Sequence, residues 1–372
     1  MKKRQYFSLL ATVLISMNAC ESNDLPVQHA DSYDYITFAA KMQKEITRAR
    51  DYEEYDANKH PQTMGAFGFC NLPAHDFSST KGEIFKNETV TYVAESKCWK
   101  TNPEKKWDDY KNNNFDFFGY MPWNKQATLT KPSATESTYV LSIPYTIPTI
   151  NGNPSPILFE KDLKLAPIIC ALPEHKIGTT AEGKEQTFER VVELKFDQTL
   201  TGYYLNFQLD TRMNKLRYFR IKGVKIGGKL PTAGNVTRTY KFNGSSWTAE
   251  DIKWTELQTS DFDTNSGIAL ENNELELKDD QYHRWGATFY AIADASFVPT
   301  IAVTYDVILQ GENGETKTRE NVTSTITLGK TFFESLDPGK TATIYPINIL
   351  IQPRYLYVLS DQDAYTGHLL IQ

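Results

Sequence analysis

Beyond residue 34 the chain alternates apolar and polar residues in short runs, and each run closes on a turn signal. "SIPYTIPTI" leads into Asn151-Gly152, and "RVVELKF" and "YYLNFQLD" flank a link that contains Gly202. "RTYKFNGSSWTA" folds back at Asn243-Gly244, a pair suited to the positive dihedrals of a two-residue hairpin turn. "IAVTYDVILQ" and "STITLGK" bracket the polar turn "GENGET", while "IYPINILIQ" sets Ile347, Ile349 and Ile351 against Asn348 and Gln352. Residues 35–50 and 104–111 are the only stretches that suit a helix, and neither carries an apolar stripe at helical spacing. Short, regularly spaced strands with no helix-length periods between them predict an all-β chain built of β-sandwiches. The polar segment "GTTAEGKEQT" (residues 178–187) is the predicted boundary. It gives an N-terminal domain over 34–182 and a C-terminal domain over 183–372, with no sequence repeat between them.

The first twenty residues break this pattern. Lys2, Lys3 and Arg4 precede a mostly apolar run from Tyr6 to Ile15 that is too short to span a bilayer. The run ends in "SMNAC", and a small residue just ahead of Cys20 is the pattern of a bacterial lipoprotein signal, although Met17 and Asn18 are not the favoured residues. The expectation is a signal peptide over 1–20, acylation (palmitate among the chains) at Cys20, and a polar tether over 21–33. The alternative is an ordinary leader cut nearby, with Cys20 incidental. Two or three acyl chains, at ~0.8 kcal/mol per buried methylene, anchor a protein to a membrane where one does not.

Composition narrows the function classes. The 372 residues are 40% hydrophobic and 23% charged, as in a folded globular protein of about two domains. A net charge of -6 argues against nucleic-acid partners, which need a basic surface to displace phosphate counterions. With Cys20 assigned to lipid, Cys70, Cys98 and Cys170 permit at most one disulfide, and small buried hydrophobes are the simpler reading.

Few segments carry chemistry. "DFDTNSG" spaces Asp261, Asp263 and Asn265 like a calcium loop, but Gly267 falls at the seventh position and Asn272 stands where a bidentate Glu is needed, so an Asp/Asn-rich turn is favoured. His60, Cys70, His75 and Cys98 lack the tight paired spacing of a zinc site. Trp107, Tyr110, Trp123 and Trp285 have the rings to stack on sugars, although core filling is the commoner use of Trp. No nucleophile elbow, His-Glu-x-x-His or phosphate loop occurs, and no cofactor or metal is expected.

The stretch "ITFAAKMQKEITRAR" (residues 36–50) remains. Residues 35–40 are expected as a first strand, and the following polar residues as an accessible loop carrying Arg48 and Arg50, where an Arg-directed protease would cut. A sandwich stripped of its first strand exposes apolar side chains and unpaired backbone groups, which a partner strand then fills. The C-terminal tail has donor character, with Tyr355, Tyr357 and Leu359 on one alternating face and Leu369 and Ile371 at its end. Repeated head to tail, such addition builds an open filament. The alternative is a plain first strand followed by a basic loop that is never cut.

A lipoprotein signal followed in order by "ITF…TRA", "MGAFGF" (Met64 to Phe69), "FDFFGYMPW" (Phe115 to Trp123), "DLKLAP" (Asp162 to Pro167) and "VELKFDQTLTGYYLNFQL" (Val192 to Leu209) resembles the fimbrillin or Mfa-like family of Gram-negative anaerobes. The resemblance covers most of residues 34–352. It implies two tandem transthyretin-like (Greek-key) β-sandwiches, with residues 192–209 as the first strand pair of the second. It implies an outer-membrane lipoprotein assembled into type V pili by strand exchange after Arg-directed cleavage. It further implies Cys20 as the lipid site, processing at 47–50, a removable strand near 35–40 and a donor within 353–372. On this reading the chain is a structural or adhesive pilus subunit without catalytic activity. Its partners are other subunits, the outer membrane through its lipid, and host or bacterial surface ligands. The rival readings are a lipid-anchored surface glycan-binding protein using its exposed Trp or Tyr rings, and a glycoside hydrolase for which no site is recognisable.

Overall fold

The computed structural model describes residues 35–44, 51–78, 80–110, 113–132, 136–178, 191–210, 217–264, 267–293, 298–310, 316–329, 344–353 and 367–371. Those residues are nearly all β. The chain opens with β1 (Thr37–Gln43), β2 (Tyr52–Glu54), β3 (Thr63–Cys70), β4 (Glu83–Val93), β5 (Cys98–Thr101) and β6 (Phe115–Met121). Next come β7 (Thr128–Thr130), β8 (Thr138–Thr146), the hairpin of β9 (Thr149–Ile150) and β10 (Asn153–Pro154), and β11 (Leu158–Phe159). The chain then returns with β12 (Ile168–Cys170), β13 (Glu174–Lys176) and β14 (Val191–Gln198).

A first sheet has the order β12-β14-β1-β5-β4-β3-β6-β13, with β2 paired to β1. β6 also pairs with β12, Ile168 facing Met121 and Ile169 facing Tyr120, so the sheet closes on itself. Every residue of β6 is buried, as are all of β3 after Thr63, which explains why "FDFFGYM" and "MGAFGFC" read as continuous apolar runs. Strands covered on both faces have no solvent side to mark with polar residues. Gly65 is required by close approach, since a Cβ there would sit 2.2 Å from the Tyr120 ring.

The second half supplies β15 (Thr201–Leu209), β16 (Arg217–Phe242), β17 (Trp247–Ala249), β18 (Lys253–Phe262), β19 (Ile268–Leu270), β20 (Leu275–Leu277) and β21 (His283–Ala291). It ends with β22 (Val298–Gln310), β23 (Thr316–Thr327), β24 (Ile344–Pro353) and β25 (Gly367–Ile371). One sheet runs β23-β22-β16-β8-β7, with β17 to β20 each paired to β16, and another runs β11-β21-β15-β24-β25.

Two large apolar cores result, and they do not divide the chain in sequence order. The first gathers residues from 36 to 170 together with Val192, Leu194 and Phe196 of β14 and Val236, Tyr240, Trp247 and Ile252. The second is built from Tyr203 onward and adds Ile157. β16, 26 residues long, serves both. Arg217–Lys229 pairs with β22, and from Ala233 to Lys241 the partner is β8. The segment 179–190, which contains most of the predicted boundary, lies outside the described residues. β14, counted by the sequence with the C-terminal domain, pairs in parallel with β1 of the first sheet.

Several local expectations are corrected. Residues 192–209 are not a strand pair, because β14 and β15 follow one another into different sheets. The Asn243-Gly244 hairpin closes through four residues, since Phe242 faces Trp247 and Asn243 Oδ1 accepts from the Ser245 and Ser246 amides. Residues 37–43 are strand, and Trp107–Tyr110 is a single 3-10 turn. Trp107 and Trp285 are core side chains, 6% and 1% exposed. Trp107 packs edge-on against Phe115 and Phe117, while the Trp285 indole N–H donates to Leu270 O at 2.9 Å.

Candidate functional site: the slot of the first strand

β1 begins as its sequence directs. Ile36, Phe38, Ala40 and Met42 are all at most 4% exposed, and of the residues between them Thr37 is also buried while Ala39 and Lys41 are partly exposed. Phe38 sits 5.6 Å from the Phe85 ring and 6.0 Å from Phe117, the latter edge-on. Burial of large side chains such as Ile36, Phe38 and Met42 contributes about 1.5–3 kcal/mol each. Their sum is comparable with the whole stability of a domain, roughly 5–15 kcal/mol. The strand runs further than the sequence suggested. Lys41, Met42 and Gln43, assigned beforehand to an accessible loop, pair with β2, and Met42 is 1% exposed.

β1 is an interior strand. On one side it runs parallel to β14, from Thr37 opposite Val191 to Met42 opposite Phe196. On the other it pairs antiparallel with β2 over Lys41–Gln43, and Phe38 faces Trp99 of β5. Losing it therefore opens a slot with unpaired backbone on two walls, where the sequence reading foresaw one bare edge. Outside the slot, Lys41 Nζ lies 2.9 Å from Glu193 of β14 and 3.8 Å from Glu54 of β2, pinning the strand to both neighbours. Surface pairs of this kind contribute only about 0–1 kcal/mol. Apolar burial and the two ladders hold β1 in place.

The slot's far end is bridged by a contact that sequence reasoning missed. The Tyr52 hydroxyl donates to Asp197 Oδ1 at 2.7 Å, joining β2 to β14 beyond the last residues of β1. Asp197 Oδ2 also binds Arg238 Nη1 at 2.6 Å, a pair in which both side chains are at most 3% exposed. The Arg238 guanidinium further donates to the Cys170 and Glu250 carbonyls. The contacts linking Tyr52, Asp197, Arg238 and Cys170 join positions 41 to 145 apart, so no local pattern could have announced them.

Lys44 N–H donates to Asp51 O at 2.9 Å, so the ends of the connection between β1 and β2 are held together. That connection carries Arg48 and Arg50, which lie outside the described residues, as does Cys20. Tyr355, Tyr357 and Leu359 also lie outside them. Leu369 and Ile371 belong to β25, which pairs antiparallel with β24 of its own chain, Ile371 opposite Ile349 and Leu369 opposite Ile351. β25 is the edge of its sheet.

The remaining candidates disperse. Asp261 closes β18, Asp263 follows it in an exposed position, and Asn265 lies outside the described residues. His60 precedes β3, whereas Cys98 starts β5 and its sulfur is 3.0 Å from Ser96 Oγ. Cys70 and His75 line one cleft with Tyr110. Burial pushes the Cys70 thiol up to about 11, which keeps it protonated and a poor ligand at neutral pH. Cys70, Cys98 and Cys170 are all free. Trp123 is 39% exposed, with its indole N–H bound to Asn87 O. No described helix is long and apolar enough to cross a membrane.

No protein-family model and no curated protein matches the chain in sequence. Among solved structures, the chain is similar to a fimbrial protein from Bacteroides vulgatus, at 15% identity and a TM-score of 0.42, over 90% of this chain and 98% of that one. It is also similar to the fimbrial anchor protein Mfa2 from Porphyromonas gingivalis, at 10% identity and a TM-score of 0.31, over 91% and 97%.

Proposed function

We propose that the chain is a structural or adhesive subunit of a cell-surface fimbrium of the type V kind, assembled by strand exchange and without catalytic activity. One observation carries this reading. β1 is an apolar strand paired between two walls, and its onward connection holds both candidate cleavage residues, Arg48 and Arg50. Cleavage there would free β1 and leave a slot that cannot stay empty, because the burial lost is on the scale of domain stability. The donor on this reading is residues 353–372 of a neighbouring subunit. Its last strand is attached along one side only, so release disrupts a single ladder.

The two cores are read as tandem transthyretin-like sandwiches that share β16. Acylation at Cys20 would hold the precursor at the outer membrane until assembly, with residues 21–33 as the tether. The order of motifs from "ITF…TRA" to "VELKFDQTL" supports the same reading.

N-terminal sequencing of protein taken from the cell surface tests it. A start at Ala49 or Asp51 in polymer, with an acylated Cys20 start in the precursor, is the expected result. Trypsin-treated mature chain should then form SDS-resistant ladders that vanish when residues 353–372 are deleted. A cut chain that stays monomeric contradicts strand exchange.

A further inference from the structure

Where β3 ends and β4 begins, the molecule holds an open cleft of about 740 Å3, within the size range of ligand sites. Its rim is fixed without any ligand. Asn71 adopts a left-handed conformation, with φ of 52° and ψ of 48°. Its side-chain amide donates to Asn113 Oδ1 at 2.7 Å and its Oδ1 accepts from the Asn114 amide at 3.0 Å. Across the cleft, Cys70 N–H donates to Gly82 O at 2.7 Å.

Three residues that the sequence singled out meet here, Cys70 and His75 as weak zinc candidates and Tyr110 as a ring able to stack on a sugar. His75, only 8% exposed, packs at a tilt against Phe69 and edge-on against Phe77, with ring centroids 4.8 and 5.0 Å away. Its imidazole makes no hydrogen bond to a described residue: Nε2 is sealed off, and Nδ1 lies beside Gly82, 3.9 Å from where a Cβ of that residue would sit. Tyr110 adds a half-buried ring, and the Cys70 thiol is kept neutral by burial. Two carboxylates join them. Asp76 uses Oδ1 for the Ser78 amide and hydroxyl, and its Oδ2 carries no protein hydrogen bond. Among the described residues, the Asp109 carboxylate makes no hydrogen bond or ion pair.

We infer that this cleft binds a neutral saccharide, with Tyr110 against a ring face, Asp76 and Asp109 accepting hydroxyl protons, and His75 Nδ1 as a buried polar contact. The chemistry selects this class. Among the described lining residues, two carboxylates stand against one ammonium, that of Lys81, a balance that disfavours phosphates and other anions. No described group of three metal-ligating side chains exists to favour a cation. An aromatic wall beside unpaired acceptors matches a ligand with an apolar C–H face and a hydroxyl rim. His75 lines the cleft, and its Nδ1 offers a ligand hydroxyl a polar contact there. The inference deepens the adhesive side of the proposed function by naming a ligand class, and binding itself requires no polymer.

The test is saturation-transfer difference NMR on the mature full-length chain with lactose, maltose, cellobiose, N-acetylglucosamine and methyl mannoside, followed by titration of any binder. At least one sugar is expected to receive saturation at its ring C–H protons. Asp109→Asn and Tyr110→Ala are each expected to weaken binding about tenfold. Asp109 is exposed, so its variant keeps the wild-type melting temperature and decides the matter if Tyr110→Ala proves unstable. No transfer to any of the five sugars, or undiminished affinity in Asp109→Asn, overturns the inference. The same variants run through the ladder assay separate the two claims: lost ladders with sugar binding intact count against strand exchange alone.

Discussion

β1 lies between two neighbours, β14 along six paired positions and β2 with β5 on the other side, whereas β25 at the opposite end of the chain pairs with β24 alone over five. Each is a short terminal segment reached through a connection outside the described residues. The difference is in what each leaves behind. Taking away β1 strips two ladders and uncovers the pockets of Ile36, Phe38, Ala40 and Met42 in the middle of the first core. Taking away β25 shortens a sheet at its border. A strand enclosed on both sides suits a receptor position that must always be filled, and a strand held on one side suits a segment that moves.

The comparison breaks first if the two strands prove equally dispensable. Deleting residues 34–44 should abolish the cooperative unfolding of the first core in calorimetry. A chain ending at Pro353 should keep both transitions, with melting temperatures within about 4 °C of the full chain. A smaller blow falls on the slot alone: Phe38→Ala should lose ~3–5 kcal/mol in urea titration, the range for a fully buried aromatic truncated in a packed core. Tyr52→Phe removes only the bridge to Asp197 and should lose ~1 kcal/mol, visible as faster hydrogen exchange in β2 and β14. A loss in Tyr52→Phe as large as that of Phe38→Ala would mean that the bridge and not the core holds the slot.

Acidity gives the finest probe, through one histidine beside the first core. His175 of β13 bonds Asp116 of β6 through Nδ1 at 2.7 Å, and this bond raises its pKa above the usual value despite partial burial. A raised folded value means that the protonated form is the stabilising one. The contribution is complete below about pH 6.5 and is lost as pH rises through the folded value. First-core stability should therefore decline as pH rises above about 6.5 and through the folded value, and His175→Gln should flatten that decline. Glu174 and Lys176 flank the imidazole on its own strand and pair with each other at 3.3 Å.

The sequence made the strand content and most hairpins legible, because alternation and turn residues are local properties. β24 shows this well, with Ile347, Ile349 and Ile351 all inward as their spacing demands. Long-range partnership was not legible. Nothing in "RVVELKF" distinguishes a strand that pairs with its successor from one that runs beside residues 37–42, since either sheet buries the same alternating face. Trp107 and Trp285 fill cores, the commoner use, but composition alone left sugar stacking open, since a ring that stacks on a sugar and one that fills a core differ only in burial. At the slot, the apolar alternation of Ile36, Phe38 and Ala40 was visible, but its interior position and the Tyr52–Asp197–Arg238 bridge depend on contacts up to 145 positions apart. The saccharide cleft collects Cys70, His75 and Tyr110 from two loops that sequence spacing had no means to bring together.

β16 has a mechanical corollary. One unbroken backbone runs from the second core, where it lies against β22, into the first, where it lies against β8. A pull applied along the length of that segment loads many ladder bonds in shear at once, so they resist together and do not unzip singly. Traction on a surface-tethered chain would then pass between the two cores along a continuous peptide, with no slack hinge to absorb it.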